Sequence, residues 1–585
     1  MFTREYVHTQ FLKGKHRGPE HSIMQEVMIN ATFGFHRLAI NGLNNASNQP
    51  LCINNITLMC NGEIYNYKEL YKMMNVIPTT DSDCEVIIHL YKKYGIEQTL
   101  QMLDGVFAFC LLDNQHYGSN TQMFVGRDPY GVRPLYLLSP VKLQKGGIIA
   151  IASELKQVSH MNNRLNDENL TETTDNKTQC TYSVKQFLPG SYSHYELPFK
   201  RRPLWAPKIL NKVYHKPGFV SCSSTRPSET YEHYVSNIQR FLINAVYKRC
   251  STTDRPIACL LSGGLDSSLI AALVNEFHKK NGHPPLETYS IGLENAEDLK
   301  YARIVADYLG TKHTEIILSE TDFLNAIPDV IHDIESFDTT TVRASIGNWL
   351  LGKYISTHSE AKVIFNGDGS DELAGGYLYM GHAPDMIEFD RECRRLLGDI
   401  YMFDVLRSDK SISSHGLEPR TPFLDREWVQ YYLTIPYEIR FHPGANRPEK
   451  YLIRDAFNDT RYTNTDGKPL LPESVLLRKK EAFSDGVSRQ SRSLYTIIQE
   501  HARTTLTVNN ELDLNSIQTT NNYLLPTTPE QFLYRSIFEK HYPEQGKILP
   551  YFWMPKYVNA TDASARTLAI YNDEPATEPA TEPAN

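Results

Sequence analysis

Two acidic, glycine-containing loops hold the residues of this chain best suited to chemistry on a phosphate. The first reads Leu261-Ser262-Gly263-Gly264-Leu265-Asp266-Ser267-Ser268. The apolar run 257–261 enters it and the apolar segment 269–273 leaves it. That order predicts a buried strand, a turn with little side chain, and a helix N-terminus. Glycines let the backbone approach a ligand closely, and the unpaired N–H groups and helix dipole favour an anion. A plain strand-to-helix turn is the competing reading, and three hydroxyls with one carboxylate in seven residues weigh against it. The second loop reads Asn366-Gly367-Asp368-Gly369-Ser370-Asp371-Glu372 and follows the apolar run 363–365. Its three carboxylates repel one another unless a divalent cation or an ammonium group sits among them. The competing readings are a solvated acidic turn or a capping run for the next helix.

The elements that must position these loops are legible nearby. Residues 229–249 carry apolar side chains at helical spacing, and 299–309 form an amphipathic helix. Residues 288–293 and 313–318 read as further buried strands. Strands alternating with helices predict an open parallel sheet, whose ligands sit at the strand C-termini. Leu261 and Ile291 would then flank one crevice able to take a base. The first loop is not a Gly-Lys-Ser/Thr phosphate loop, and it lacks the G-x-G-x-x-G dinucleotide spacing.

Composition narrows the function classes. The chain has 585 residues, 41% hydrophobic and 22% charged, with a formal net charge of -8. That suits a soluble protein of two to four domains and gives no reason to expect nucleic acid. No apolar stretch is long enough for a membrane, and no signal-peptide layout opens the chain, so a cytoplasmic location is expected. Nine scattered cysteines without CxxC pairs predict buried free thiols rather than zinc or disulfides.

Residues 1–195 read as an α+β layered domain. Strands are expected at 34–40, 56–60, 105–113 and 123–128, with Asn61-Gly62 as a hairpin-type turn. Helices are expected from Tyr67 and over 84–94. The polar stretch 159–182 reads as a solvated loop and 196–228 as a linker. A second domain spans 229–560, and the Pro/Glu/Thr/Ala repeats of 569–585 predict a disordered tail.

SGGLDSS resembles the pyrophosphate-binding loop of the N-type ATP pyrophosphatases, which cleave ATP between the α- and β-phosphates. Five blocks in the first domain look like the glutaminase half of the glutamine-dependent asparagine synthetases. They are HRGP (16–19), FGFHRLAI (33–40), NGEIYN (61–66), DGVFAF (104–109) and GRDPYGVRPLY (126–136). FDTTTVRAS (337–345), YMFDVLRSDKS (401–411), HGLEPRTPFLD (415–425), LLRKKEAFSDG (476–486) and WMPKYVNATDASARTL (553–568) resemble the synthetase half. The resemblance implies an N-terminal-nucleophile (Ntn-type) glutaminase fold followed by an adenine nucleotide α-hydrolase-like α/β domain.

The same resemblance implies a site. Glutamine would meet Arg37 at its α-carboxylate and Asp83, with Glu63, at its ammonium. Asn61 and the Gly62 N–H would donate to the oxyanion. ATP would lie on Leu261, Ser262, Gly263, Gly264, Asp266, Ser267, Ile291, Asn366 and Gly367, with its pyrophosphate on Thr340 and Arg343. Asp266 and Asp371 would hold Mg²⁺. Aspartate would meet Asp371, Glu372, Asp404 and Arg407. Asp368, Arg343 and Lys480 would act on the reacting groups. The implied reaction is a ligation: aspartate becomes β-aspartyl-AMP, and ammonia converts it to asparagine. A homodimer is compatible with this reading.

Two departures stand out. The family nucleophile is an N-terminal cysteine, but residue 2 here is Phe2 and no cysteine precedes Cys52. Free ammonia as nitrogen donor, or a start upstream of Met1, would account for that. Where the family has Ser-Gly-Glu this chain has Asn366-Gly367-Asp368, a carboxylate one methylene shorter, so slower adenylation is expected. A relative that adenylates another carboxylate, such as a β-lactam synthetase, is the alternative within enzymes. A binding or regulatory protein that kept the fold without catalysis is the alternative outside them.

Overall fold

A computed structural model describes residues 2–28, 30–114, 120–142, 147–171, 181–199, 204–216, 229–444, 447–481, 483–489, 492–508 and 523–564. The expected tail at 569–585 lies outside them, as does 217–228. Among the described residues no helix is long and apolar enough to cross a membrane.

The first domain is built on a six-stranded antiparallel sheet. Its order is β11 (Ala206–Val213), β10 (Ser191–Leu197), β6 (Thr121–Arg127), β5 (Gly105–Asp113), β4 (Ile56–Ile64) and β3 (Leu51–Ile53). The near-continuous apolar run of β5 follows from burial on both faces. Phe107, Phe109 and Leu111 pack with the helices Tyr67–Met74 and Val86–Met102. Ala108, Cys110 and Leu112 face the smaller sheets. Those are β1 (His21–Met28) with β2 (Ala31–Arg37), and β8 (Ala150–Ala152), β7 (Tyr136–Pro140) and β9 (Tyr182–Gln186). The result is a helix–sheet–sheet sandwich, the α+β layering expected.

Three local expectations give way. Asn61-Gly62 does not turn: β4 runs through it, with Gly62 opposite Phe107. A side chain at Gly62 would come within 2.2 Å of the Val106 carbonyl oxygen, so glycine serves close strand approach here. Much of 159–182 is the helix Ser159–Thr171, because Met161 and Leu165, four residues apart, reach a buried cluster. Within the expected linker, β11 pairs antiparallel with β10 as the sheet edge.

The second domain holds a five-stranded parallel sheet ordered β14 (Lys312–Leu318), β13 (Glu287–Leu293), β12 (Ile257–Leu260), β15 (Val363–Phe365) and β16 (Glu418–Arg420). The chain builds outward from β12 to β14, then returns to the other side of β12 for β15 and β16. The direction of winding therefore reverses between β12 and β15, where such sheets bind ligands. β16 was not foreseen; its Pro419 fits only because the strand is an edge. Along β12 and the next residue, Ile257, Cys259 and Leu261 enter one core, and Ala258 and Leu260 enter the other.

The domains share both cores. Tyr65, Val106, Tyr130 and Val132 join the first; Tyr136, Leu138 and Val184 join the second. Buried ion pairs also cross the boundary. Arg17 meets Asp409 at 2.7 Å, Arg133 meets Asp409 at 2.8 Å and Glu418 at 3.0 Å, and Arg420 meets Glu63 at 3.4 Å. Seven of the cysteines are described; all are free, and all but Cys52 are buried.

Candidate active site

The loops after β12 and β15 meet at the reversal point. Gly263 adopts φ +72°, and a Cβ there would lie 2.4 Å from the Ala302 nitrogen. The loop is pinned by its own hydroxyls: Ser262 Oγ is 2.9 Å from Ser267 Oγ, and the Gly264 N–H donates to Ser262 Oγ at 3.3 Å. The helix Leu265–Asn281 starts at once, so its free N–H groups face the loop. A Cβ on Gly367 would lie 2.8 Å from Asp266 and Ser267, so only glycine lets the second loop rest on this helix start. Asn366 holds that loop by donating to Ser408 Oγ at 2.7 Å.

Charged groups from five segments converge here. Lys450 Nζ lies 2.5 Å from Asp266 Oδ2 and 2.5 Å from Asp371 Oδ1. Lys480 Nζ lies 2.6 Å from Asp371 and 4.0 Å from Asp266. Arg407 meets Asp404 at 2.6 Å and Asp368 at 3.8 Å. The Tyr377 hydroxyl oxygen lies within hydrogen-bond distance of Glu372 and 3.4 Å from Asp404, and its one proton serves one of them at a time. Burial pushes the Asp368 carboxyl up, with Arg407 opposing, and pushes Glu372 well above the usual range. Asp371 is driven the other way: Lys450 and Lys480 overcome its burial and hold it ionised. Burial opposes the Lys480 charge, but Asp371 and Asp266 more than compensate.

Lys450 escaped the sequence reading, which found no motif around it. The signal available was Glu449-Lys450 at a helix start. Lys450 is the N-cap of the helix Tyr451–Ala456 with φ +57°, a conformation non-glycine residues seldom adopt. A Cβ on Gly376 would lie 2.1 Å from Lys450 Cε, so that glycine opens the path of the lysine to Asp371. Tyr377 was missed for the same reason.

The cluster holds five carboxyl groups, Asp266, Asp368, Asp371, Glu372 and Asp404, against three cations, Lys450, Lys480 and Arg407. Asp266 Oδ1, Asp368 Oδ2 and Thr340 Oγ1 are buried without a hydrogen-bond partner. Unmet acceptors and excess negative charge suit a ligand that brings cations and donors.

Other expected positions need correction. Arg343 does not face the phosphate loops. It is buried against Glu530 (Nε, 2.7 Å) and Asp562 (Nη1, 2.8 Å), and a guanidinium so engaged has no free edge for pyrophosphate. Leu261 and Ile291 do not flank one crevice. Their side chains enter opposite cores, because Leu260 pairs with Tyr289, which leaves Ile291 one residue out of step with Leu261. Arg478, two residues before Lys480, pairs with Asp298 at 2.8 Å and lies over the Tyr301 ring. Burial pushes Asp298 up to about 7 even so.

In the first domain the expected glutamine residues lie along β2, β4 and the turn after Ser82. Asp83 accepts the Ile64 N–H at 2.6 Å, and burial pushes its carboxyl up to about 6. Asn61 donates to Ser153 Oγ at 3.2 Å. Arg37 is committed elsewhere than expected. It donates to the Asn44 carbonyl at 2.9 Å, to Asn48 Oδ1 at 2.7 Å, and to the Asn41 and Gly42 carbonyls. Glu63 is likewise turned away, toward the Asn41 amide and Arg420 of β16.

The architecture is a layered α+β domain joined to a parallel-sheet α/β domain whose two loops gather a charged cluster at the winding reversal. The sequence pattern of the family described as "Asparagine synthase" matches residues 237–391 and 383–561, and that of "Glutamine amidotransferase domain" matches 3–201. The chain is 40% identical over 574 residues to the glutamine-hydrolyzing asparagine synthetase of Gallus gallus, covering 96% of this chain and 95% of that one. It is 40% identical to the Mesocricetus auratus protein of the same name and 39% identical to the Homo sapiens one, with the same coverage. The chain belongs to the asparagine synthetase family.

Proposed function

We propose that the chain is a carbon–nitrogen ligase that converts L-aspartate and ATP to L-asparagine, AMP and pyrophosphate. The observation that carries this reading is the Lys450 bridge between Asp266 and Asp371, one on each ligand loop. ATP is assigned to the loop 262–268, with its phosphates at the helix N-terminus. The aspartate ammonium fits the Glu372 and Asp404 carboxyls, and Arg407 fits an aspartate carboxylate. The β-carboxylate attacks the α-phosphorus, pyrophosphate departs, and Lys450 and Lys480 hold the charge that builds on the phosphates. Ammonia then displaces AMP from the aspartyl carbonyl.

Among the described residues no group of three or more His, Cys, Asp or Glu side chains could hold a metal ion alone. Mg²⁺ needs less: one or two carboxylates plus substrate phosphates suffice. Asp266, with its unpaired Oδ1, and Asp371 fit that demand. When bound, Mg²⁺ supplies charge neutralisation to the pyrophosphate leaving group.

Glutamine is the proposed nitrogen source on the first domain where a nucleophile upstream of Met1 completes it. Free ammonia is the proposed donor for the sequence as it stands, in which no cysteine precedes Cys52. The residues Asn61, Gly62 and Asp83 support the glutamine reading, and Arg37 and Glu63 must turn from their present partners to take part. Asparagine formation by a polypeptide of this sequence, with ATP, Mg²⁺ and aspartate, tests the proposal with ammonium chloride and glutamine in parallel. Product with ammonium establishes the synthetase site; product with glutamine adds the first. Aspartate-dependent ATP–pyrophosphate exchange without asparagine would place the fault in the ammonia step. Absence of exchange would refute the assignment.

A further inference from the structure

The segment 553–564 touches both halves of the synthetase site while contributing no group to either. At one end the Trp553 ring packs on Tyr377, centroids 5.5 Å apart at 53°, and on Tyr379 at 6.0 Å and 68°. Tyr379 stacks on Tyr377 from the side, 5.9 Å away at 15°. Tyr377 is the residue whose hydroxyl lies between Glu372 and Asp404. Its ring is thus bounded by two aromatic neighbours and its hydroxyl by two carboxyls.

The segment itself is held at two points. The Trp553 backbone N–H donates to Asp338 Oδ1 at 2.8 Å. The second oxygen of Asp338 caps the helix Thr339–His358, accepting the Thr341 N–H at 2.9 Å. That helix carries Thr340 at its start. Further along, Asp562 accepts both Arg343 nitrogens, Nη1 at 2.8 Å and Nη2 at 2.9 Å. Both anchors are buried, and the second is a bidentate ion pair, so the indole ring has a fixed seat. These bonds also explain why Arg343 faces the C-terminal segment instead of the ligand loops.

We propose that Trp553 is a positioning residue for the aspartate half of the site. Its ring holds Tyr377 so that one hydroxyl between Glu372 and Asp404 keeps the spacing that receives the substrate ammonium. The inference rests on the assignment of those two carboxyls to aspartate. A ring seated on the Tyr377 side acts on the aspartate groups and leaves the loop 262–268 untouched. Its loss therefore weakens aspartate and spares ATP, a split that general destabilisation does not produce.

The test uses the full chain with ammonium chloride as nitrogen source, which removes the first domain from the measurement. Trp553→Ala is expected to raise the KM for aspartate about tenfold while the KM for ATP moves less than about twofold. Trp553→Phe, which keeps a ring on Tyr377, is expected to restore the aspartate KM. Tyr377→Phe keeps the core and removes the hydroxyl, and is expected to reproduce the alanine effect. It decides the matter if Trp553→Ala does not fold. Calorimetric titration of aspartate into the chain with a non-hydrolysable ATP analogue gives the same ranking without turnover. Weaker binding in Trp553→Ala beside a wild-type chain that makes no asparagine would sink the assigned reaction and leave this inference standing. Equal aspartate affinity in wild type, Trp553→Ala and Tyr377→Phe would overturn it, as would parallel losses for aspartate and ATP.

Discussion

The two ligand regions differ in how their polar groups are satisfied. In the proposed synthetase site, buried oxygens of Asp266 and Asp368 have no partner, and five carboxyls face three cations. In the glutamine region, Arg37 is spent on three carbonyls and an amide oxygen, Glu63 on Asn41 and Arg420, and Asn61 on Ser153. A buried polar group left unpaired raises the free energy of the empty state, and a ligand that pairs it recovers that cost on binding. The first region is arranged to receive its ligands. The second must first release bonds, and one of them, Glu63 to Arg420, reaches into the other domain.

The largest expected effect breaks that link. Arg420 is fully buried between Glu63 and Glu418. Arg420→Met leaves Glu63 buried without a cation and Glu418 with Arg133 alone, and is expected to lower unfolding free energy by about 3–5 kcal/mol, read from urea transitions. A loss below about 1 kcal/mol would mean that the interdomain pairs are not what satisfies Glu63.

Lys450→Met comes next and acts on the other region. It removes the bridge between the loops and is expected to cut ammonia-dependent kcat by about 10²- to 10³-fold. Unchanged turnover would transfer the charge-stabilising role to Lys480 alone.

Two carboxyls sharpen the comparison through pH. Asp83 titrates near 6 when folded, above its ordinary 3.8, so the folded chain binds the proton more tightly than the unfolded one. Its contribution favours the fold at low pH and is lost as pH rises from about 4 through about 6. Asp83→Asn should therefore gain stability relative to wild type across that window, by up to about 2–3 kcal/mol. Asp371 is held below 3.8 by Lys450 and Lys480, so its contribution is present above its unfolded pKa and fades as pH falls. Asp371→Asn should lose stability at neutral pH and approach wild type in acid. Slopes of the same sign for both variants would erase the distinction between the regions.

The smallest effect is at Asn61. Asn61→Ala removes one hydrogen bond to Ser153, worth about 1 kcal/mol. It should leave asparagine formation from ammonium unchanged, and a fall in that rate would tie the two regions more closely than their contacts imply.

Local order determined a good part of this protein without reference to its fold. The run 257–261 followed by Ser-Gly-Gly and an apolar helix is a strand, loop and helix wherever it is placed, because periodicity and glycine act over a few residues. The same holds for β5 and the strand at 363–365; of the acidic stretch after it, 366–369 is a loop and 370–372 open the short helix Ser370–Ala374. Sequence order alone could not say what a long side chain would touch. Lys450 lies 184 residues from Asp266, and Glu530 lies 187 from Arg343. Whether a lysine bridges two loops or an arginine turns to a distant carboxylate depends on which segments packing brings together. Gly62, Gly367 and Gly376 show the same division. Their lack of a side chain is plain in the sequence, but only the fold decides whether that freedom makes a turn or admits another strand, loop or lysine.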